Sequence, residues 1–220
     1  VNSHGTIADA FVEPSWPPRR YHYYYVRGKL ASDPLYPGVV AALRGCDAPL
    51  LDLGCGIGLL AHALRADGQA MDYRGVDFDA GKIDTANAAA ARAGLGGVAF
   101  STCDLMRERP SHRGSVALLD MLQYLPGDAQ ERLLGDAIAM LVPGARLVVR
   151  SGLRETGARS RTTGIVDRLA NAVGWMRSAP LVYPTREWFE RTLADAGLSA
   201  ECRPLHGRTP FNNWLIVATR

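Results

Sequence analysis

Lysine is almost missing from this chain. Of 25 basic residues only Lys29 and Lys82 are lysine, and the rest are arginine. The net charge is +3, and the arginines are spread along the chain, with a modest group from Arg146 to Arg168. A nucleic-acid footprint gathers its cations on one element, and none does so here, so no nucleic-acid partner is expected. No apolar run reaches about 18 residues, so no membrane-spanning helix is expected. The N-terminal VNSHGTIADAFVEP lacks a basic start followed by an apolar stretch, and the expectation is a cytoplasmic protein. Cysteine is scarce. Cys46, Cys55, Cys103 and Cys202 form no CxxC pair, which argues against a zinc site or a redox dithiol and for reduced thiols. Repeats and low-complexity tails are also lacking. What remains is an ordinary globular composition, 47% hydrophobic and 21% charged. A chain of this length buries roughly 70% of its unfolded surface without disulfides or metal.

The first residues differ from the rest. Pro14, Pro17 and Pro18 break any long helix, and RRYHYYYVRGKL then places Tyr21, Tyr23, Tyr24 and Tyr25 close together. Residues 1–37 are read as an arm or lid, its tyrosine stretch an arm or short helix, with a further helix from Pro34 to Arg44. Residues 38–220 are read as the main domain. PLLDLG is a short apolar run ending in glycine, which suits a buried parallel strand. Helix-like stretches at 57–66, 80–93 and 128–141 alternate with strand-like stretches at 70–77, 98–104, 115–120 and in PGARLVVRS. Thr185 is the expected N-cap of TREWFERTLADAG, and LSAECRPL and NNWLIVAT are two final strands. Strands alternating with helices predict an α/β fold, here a seven-stranded, mostly parallel sheet with helices on both faces and one antiparallel edge strand. Residues 151–184 are long for a connection and are read as a cap insertion.

LLDLGCGIGLLA carries the chemistry. A buried strand runs into Gly54, Gly56 and Gly58, and a helix follows. Glycines permit a tight turn and close approach of a ligand, and a helix N-terminus adds N–H groups and a positive dipole end. The dinucleotide fingerprint G-x-G-x-x-G has its third glycine one residue later, where Leu59 stands here. The shorter spacing and the acid Asp52 favour a ligand with an ammonium group over one with a pyrophosphate. Asp77 ends the second strand, where a carboxylate can accept from a ribose diol. Asp104 ends the third, placed to accept from an adenine amino group, and the Leu105 N–H could reach a ring nitrogen. Asp79 is read as the cap of the next helix.

LLDLGCGIG, the acid of GVDFD, the CDL of the third strand and LLDMLQYLP followed by LVPGARLVV resemble, in that order, class I S-adenosylmethionine-dependent methyltransferases. The likeness covers residues 38–152. It implies a Rossmann-like fold and S-adenosylmethionine as the methyl donor, leaving S-adenosylhomocysteine. It implies that Asp52, Gly54, Cys55, Gly56 and Gly58 hold the methionine end, and Asp77 with Phe78 the ribose. Cys103, Asp104 and Leu105 would hold the adenine, and Asp120, Met121 and Gln123 would lie near the sulfonium. The family often has an acid before the fourth strand, and Gly114 and Ser115 stand there instead. The NPPY-like signature of methyltransferases acting on planar amines is replaced by LLDMLQYLP. The expected acceptor is therefore a small molecule, with an RNA or protein methyltransferase, or a non-catalytic cofactor-binding module, as alternatives.

For a hydroxyl acceptor a base is useful, and His22, Tyr124, His112 and His206 are candidates, with His22 and Tyr124 favoured. Tyr24, Tyr25, Arg150 and His206 are candidate acceptor contacts. Trp175, Met176 and Trp188 suggest an apolar cap and an aromatic or lipophilic acceptor. The arm and loop are also similar to the small methyltransferases of bacterial aryl polyene and pigment clusters, which would imply an aromatic, acyl-carrier-bound acceptor. Catechol methyltransferases hold magnesium with paired acids and an amide. No Asp-Asn doublet stands here, so no metal is expected. Either a monomer or a homodimer fits the sequence.

Overall fold

The structure is a computed structural model that describes residues 3–15, 19–154, 182–206 and 212–220. Its strands, counted in chain order, form one seven-stranded sheet in the order third, second, first, fourth, fifth, seventh, sixth. Residues 1–110 and 111–220 each form a compact unit.

In the first unit, helices α1 (Ser3–Asp9), α2 (Tyr21–Ser32) and α3 (Leu35–Leu43) precede β1 (Leu50–Leu53). Then follow α4 (Leu59–Ala66), β2 (Tyr73–Asp77), α5 (Ala80–Ala93) and β3 (Val98–Thr102). All four residues of β1 are buried, as a strand covered on both faces requires. Strand β2 pairs in parallel with both β1 and β3, with Asp52 opposite Gly75 and Gly75 opposite Phe100. Helix α5 forms for local reasons. It is rich in alanine, Asp79 caps its start by accepting from the Lys82 N–H at 3.2 Å, and Gly94 ends it at φ 62°.

Helix α1 was not foreseen. The prolines that break the chain lie beyond its end, and its apolar residues have a place to go. Ile7, Ala8, Phe11, Val26 and Leu30 are buried in one cluster with Leu59 of α4 and Ala89 of α5. The Arg92 Nε–H donates to the Ala10 carbonyl at 2.6 Å and pins the end of α1 to α5. The Phe11 ring lies 4.8 Å from that of buried His62, whose pKa burial lowers to about 4, so this histidine is a neutral core residue. The arm is part of the core of its unit.

In the second unit, β4 (Ser115–Leu119) leads through a short 3-10 turn (Leu122–Tyr124) to α6 (Gly127–Ala139) and β5 (Arg146–Gly152). After the residues outside the description come α7 (Arg186–Asp195), β6 (Ser199–Pro204) and β7 (Asn213–Thr219). Thr185 caps α7 by accepting from the Trp188 N–H at 3.2 Å, as expected. Strands β4 and β5 are parallel, and β7 runs antiparallel to both β5 and β6. The antiparallel strand therefore sits one place in from the edge, and β6 is the edge itself. The cap helix expected at Gly164–Met176, with Trp175 and Met176, lies outside the described residues. The segment leaving β5 and the one returning to α7 are tied together by the Arg154 N–H, which donates to the Pro184 carbonyl at 2.9 Å. Among the described residues no helix is long and apolar enough to cross a membrane.

Candidate functional site

The loop after β1 is shaped by three left-handed residues. Gly54, Gly56 and Gly58 take φ of 79°, 57° and 77°. Side chains resist this region, so the alternation of glycine in LGCGIG is dictated by the backbone path. The Gly54 and Cys55 N–H groups both donate to the Val76 carbonyl, at 2.8 and 2.9 Å, which fastens the loop to β2. Gly58 also meets Phe100. A Cβ at residue 58 would lie 2.5 Å from the ring of Phe100, and one at Gly75 would lie 2.7 Å from it and 2.8 Å from the Cys55 sulfur. Two glycines thus admit one aromatic ring beneath the loop.

Two acids meet this loop. Asp77 accepts from the Gly56 N–H at 2.9 Å through one oxygen and from the Asp79 N–H at 3.0 Å through the other. A carboxylate offers about four lone-pair sites, so each oxygen keeps acceptor capacity for a ligand. Asp52 is 2% exposed; Oδ2 accepts from the Tyr73 hydroxyl at 2.5 Å, and buried Oδ1 has no hydrogen-bond partner. Burial is the main cause that raises its pKa to about 7, the Tyr73 hydrogen bond opposes it, and the charge of Asp77 adds to it. Burial and the same two acids push the Cys55 thiol far above its ordinary range, so it stands as a neutral, small side chain. Phe78, between Asp77 and Asp79, leaves 69% of its surface exposed.

The third strand ends in a turn. Asp104 Oδ1 accepts from the Met106 N–H at 3.0 Å, and Oδ2 lies 3.4 Å from Arg107 Nε. Leu105 is half-buried and Cys103 buried. In the arm, the His22 Nδ1 is buried and lies 3.4 Å from a Glu13 carboxylate oxygen, without hydrogen-bond alignment. Tyr24 and Tyr25 of α2 are exposed, whereas Tyr23 packs on the arm's core and accepts from Arg27 at 3.0 Å. A separate cleft of about 420 Å³ lies between Glu13 of the arm and Asp84 and Arg92 of α5. It shares no residue with the glycine loop.

In the second unit, Asp120 follows β4 at φ 57° and is the only non-glycine at positive φ among the described residues. Its N–H donates to the Arg150 carbonyl at 2.8 Å, and the buried Arg150 donates back through Nη1 to Asp120 Oδ2 at 2.9 Å. Gln123 is buried, and its Oε1 accepts from the Ser151 hydroxyl at 3.2 Å. Its carbonyl also accepts from the Val182 N–H at 3.4 Å, and Gln130 donates to the Val182 carbonyl at 2.8 Å. Tyr124 is half-buried in the 3-10 turn, and His206 is half-buried after β6.

A family described as a methyltransferase domain matches residues 50–144. The match starts at β1 and takes in the glycine loop and both acids beneath it. No curated protein matches the sequence. Among solved structures, the chain is similar to an O-methyltransferase family protein from Burkholderia thailandensis. The TM-score is 0.67 at 23% identity, over 88% of this chain and 56% of that one. It is similar to magnesium protoporphyrin IX methyltransferase from Synechocystis PCC 6803 with bound S-adenosylhomocysteine. There the TM-score is 0.67 at 17% identity, over 96% and 91% of the two chains. The cyclase SpnF shares the fold at a TM-score of 0.64 and 18% identity, over 84% of this chain and 79% of that one. The chain thus spans little more than half of the first of these, and the cyclase shows that the fold alone does not name the reaction.

The loop and its acids fit S-adenosylmethionine, the cofactor that the sequence resemblance implies, on two counts. The loop leaves no side chain at Gly54, Gly56 and Gly58, and Asp52 keeps a buried oxygen without a partner. The first unit brings the loop and Asp77 together through the hydrogen bond from the Gly56 N–H, and Asp52 stands in β1 two residues before Gly54. It does not tie Asp104, His22, Tyr24 or Tyr25 to them by any such contact. His112, one of the candidate bases, instead holds the Ser115 carbonyl at 2.9 Å through Nε2 and is a structural residue of its loop. Neither the role of Tyr73 nor the pairing of Arg150 with Asp120 was legible in the sequence. A buried tyrosine needs a partner for its hydroxyl, and that requirement was the available signal.

Proposed function

We propose that the chain carries a class I S-adenosylmethionine-dependent methyltransferase domain, which binds S-adenosylmethionine in the glycine loop and transfers its methyl group to a small aromatic or lipophilic acceptor. The observation that carries the reading is the loop of three left-handed glycines set over Asp52 and Asp77. When bound, S-adenosylmethionine supplies an electrophilic methyl group on a sulfonium. The chain supplies position. Asp77 accepts from the ribose hydroxyls, and Asp52 receives the ammonium end. Phe78 offers an exposed apolar ring beside the ribose, and Asp104 with the Leu105 N–H reads the adenine. In the second unit, Asp120, Met121 and Gln123 are the residues that the sequence resemblance assigns to the sulfonium. Methyl transfer is an in-line displacement, so alignment is the main contribution. For a hydroxyl acceptor, His22 takes the proton with Glu13 beside its Nδ1, and Tyr124 is the second candidate. Tyr24, Tyr25, Arg150 and His206 are the proposed acceptor contacts. An aromatic acceptor carried on an acyl carrier in pigment biosynthesis is the narrower form of this reading.

Calorimetry with S-adenosylhomocysteine tests the first half. Binding is expected for the wild type, and none at millimolar ligand sinks the reading. Asp77→Ala is expected to weaken binding by about 1–3 kcal/mol, the range for leaving polar partners unsatisfied. Unchanged affinity would move the ribose role to Asp79. Labelled S-adenosylmethionine with a panel of phenols tests the second half. Label transfer that His22→Ala loses supports both acceptor and base. Tight cofactor binding without transfer to any acceptor favours the non-catalytic alternative, for which the cyclase of the same fold is a precedent.

A further inference from the structure

Asp52 is an acid with an unusual setting. It lies in β1 opposite Gly75, and Tyr73 lies two residues earlier on β2, on the same face. Gly75 has no side chain to separate them. The Tyr73 ring, 2% exposed and 5.7 Å from that of Phe100, is fixed by packing, so its hydroxyl is delivered to Asp52 Oδ2. This leaves Oδ1 buried and without a partner. The groups that act on Asp52 are the Tyr73 hydroxyl and the Asp77 carboxylate, and Asp52 in turn acts on the Cys55 thiol. Tyr36 of α3 acts electrostatically on Tyr73, and Lys82 of α5 acts on Cys55. No cation is among the groups that shift Asp52. A buried carboxyl with acids for neighbours and one idle oxygen is half of an ion pair.

We propose that Tyr73 is a positioning residue for the cofactor: it holds Oδ2 of Asp52 and presents Oδ1 to the ligand's ammonium group, whose arrival releases a proton from the buried Asp52. The inference rests on the reading of the loop as the S-adenosylmethionine site. In the free site the carboxyl is partly protonated, since burial raises its pKa to about 7. An ammonium arriving at Oδ1 favours the carboxylate. The carboxyl O–H bond breaks, the proton goes to solvent, and the ammonium keeps its three protons. The sign follows. A carboxyl raised in the folded state stabilises the empty protein below its ordinary range and loses that contribution as pH rises toward 7. Ligand affinity runs the other way, full above about pH 7 and falling as the pH drops below it.

Calorimetry with S-adenosylhomocysteine at pH 7, in buffers of different ionisation enthalpy, counts the protons. Roughly half a proton released per site is expected for a group half-ionised at that pH. Asp52→Asn is expected to abolish the release while the protein still binds more weakly. Tyr73→Phe removes the hydrogen bond that favours the carboxylate. Its affinity is expected to fall about tenfold at pH 7 and to recover at higher pH, with a larger proton release. Methylthioadenosine, which lacks the ammonium-bearing end, should bind without proton release. Binding with no proton release in the wild type overturns the proposal. So does equal release from Asp52→Asn, or a Tyr73→Phe profile that coincides with wild type. If no protein binds S-adenosylhomocysteine at all, the reading of the site fails and the proposal falls with it. That result is distinct from binding without proton release.

Discussion

Arg150→Met is expected to destabilise the protein by about 3 kcal/mol, at the lower end of the range for breaking a buried ion pair from one side. Arg150 is 2% exposed and Asp120 30% at the side chain, so removing the guanidinium strands a carboxylate that water reaches only in part. The exposure of Asp120 is what keeps the figure low. The backbone adds to the argument. Asp120 is at φ 57°, a region in which aspartate is tolerated better than most residues, and its N–H is bonded to the Arg150 carbonyl. The chain turns out of β4 at this residue, and the arginine on the neighbouring strand holds its side chain.

The control is the other half of the pair. Asp120→Asn keeps the tolerance of left-handed φ but takes the anion away from Nη1 of a buried guanidinium, and is expected to cost a similar amount. The double variant Arg150→Met with Asp120→Asn strands neither charge. It is expected to be more stable than the sum of the single losses by about 1–3 kcal/mol. Urea unfolding at pH 7 reads all three. A loss below about 1 kcal/mol for Arg150→Met would mean that the pair behaves as a solvent-exposed one.

What the sequence made legible follows from range. The glycine loop could be read because each of its demands is local. Gly54, Gly56 and Gly58 are each left-handed, and few other residues take that conformation. The caps Asp79 and Thr185 were legible for the same reason, since each bonds an N–H three residues on. Tyr73 with Asp52 and Arg150 with Asp120 were not. Each pair spans two strands, and the partner is set by register, which no local pattern encodes. Helix α1 belongs with these. Its seven residues are held by packing of Ile7, Ala8 and Phe11 against Leu59 and Ala89, which are far away in sequence. The order of the last two strands was half legible. The adjacency of two strands announced a hairpin, but which of them pairs with β5 depends on tertiary packing.

Gly58→Ala is expected to be the most damaging single change in the loop, and Gly56→Ala is the comparison that explains why. Both glycines are left-handed, at φ 77° and 57°. A methyl group at residue 56 meets nothing within 4 Å, so its cost is the backbone alone, about 1–2 kcal/mol. At residue 58 the methyl would lie 2.5 Å and 2.6 Å from two Phe100 ring atoms and 3.1 Å from the Ala86 Cβ. Phe100 cannot step aside freely, because Gly75 on the other side of the sheet pairing admits the same ring only by lacking a side chain. Overpacking adds about 1–3 kcal/mol to the backbone strain. Thermal unfolding should therefore rank wild type above Gly56→Ala and Gly56→Ala above Gly58→Ala. Adding Phe100→Leu should return part of the Gly58→Ala loss, the part due to the ring, and none of the Gly56→Ala loss. Equal losses for the two glycine variants would mean that Phe100 yields and that backbone conformation alone selects glycine in this loop.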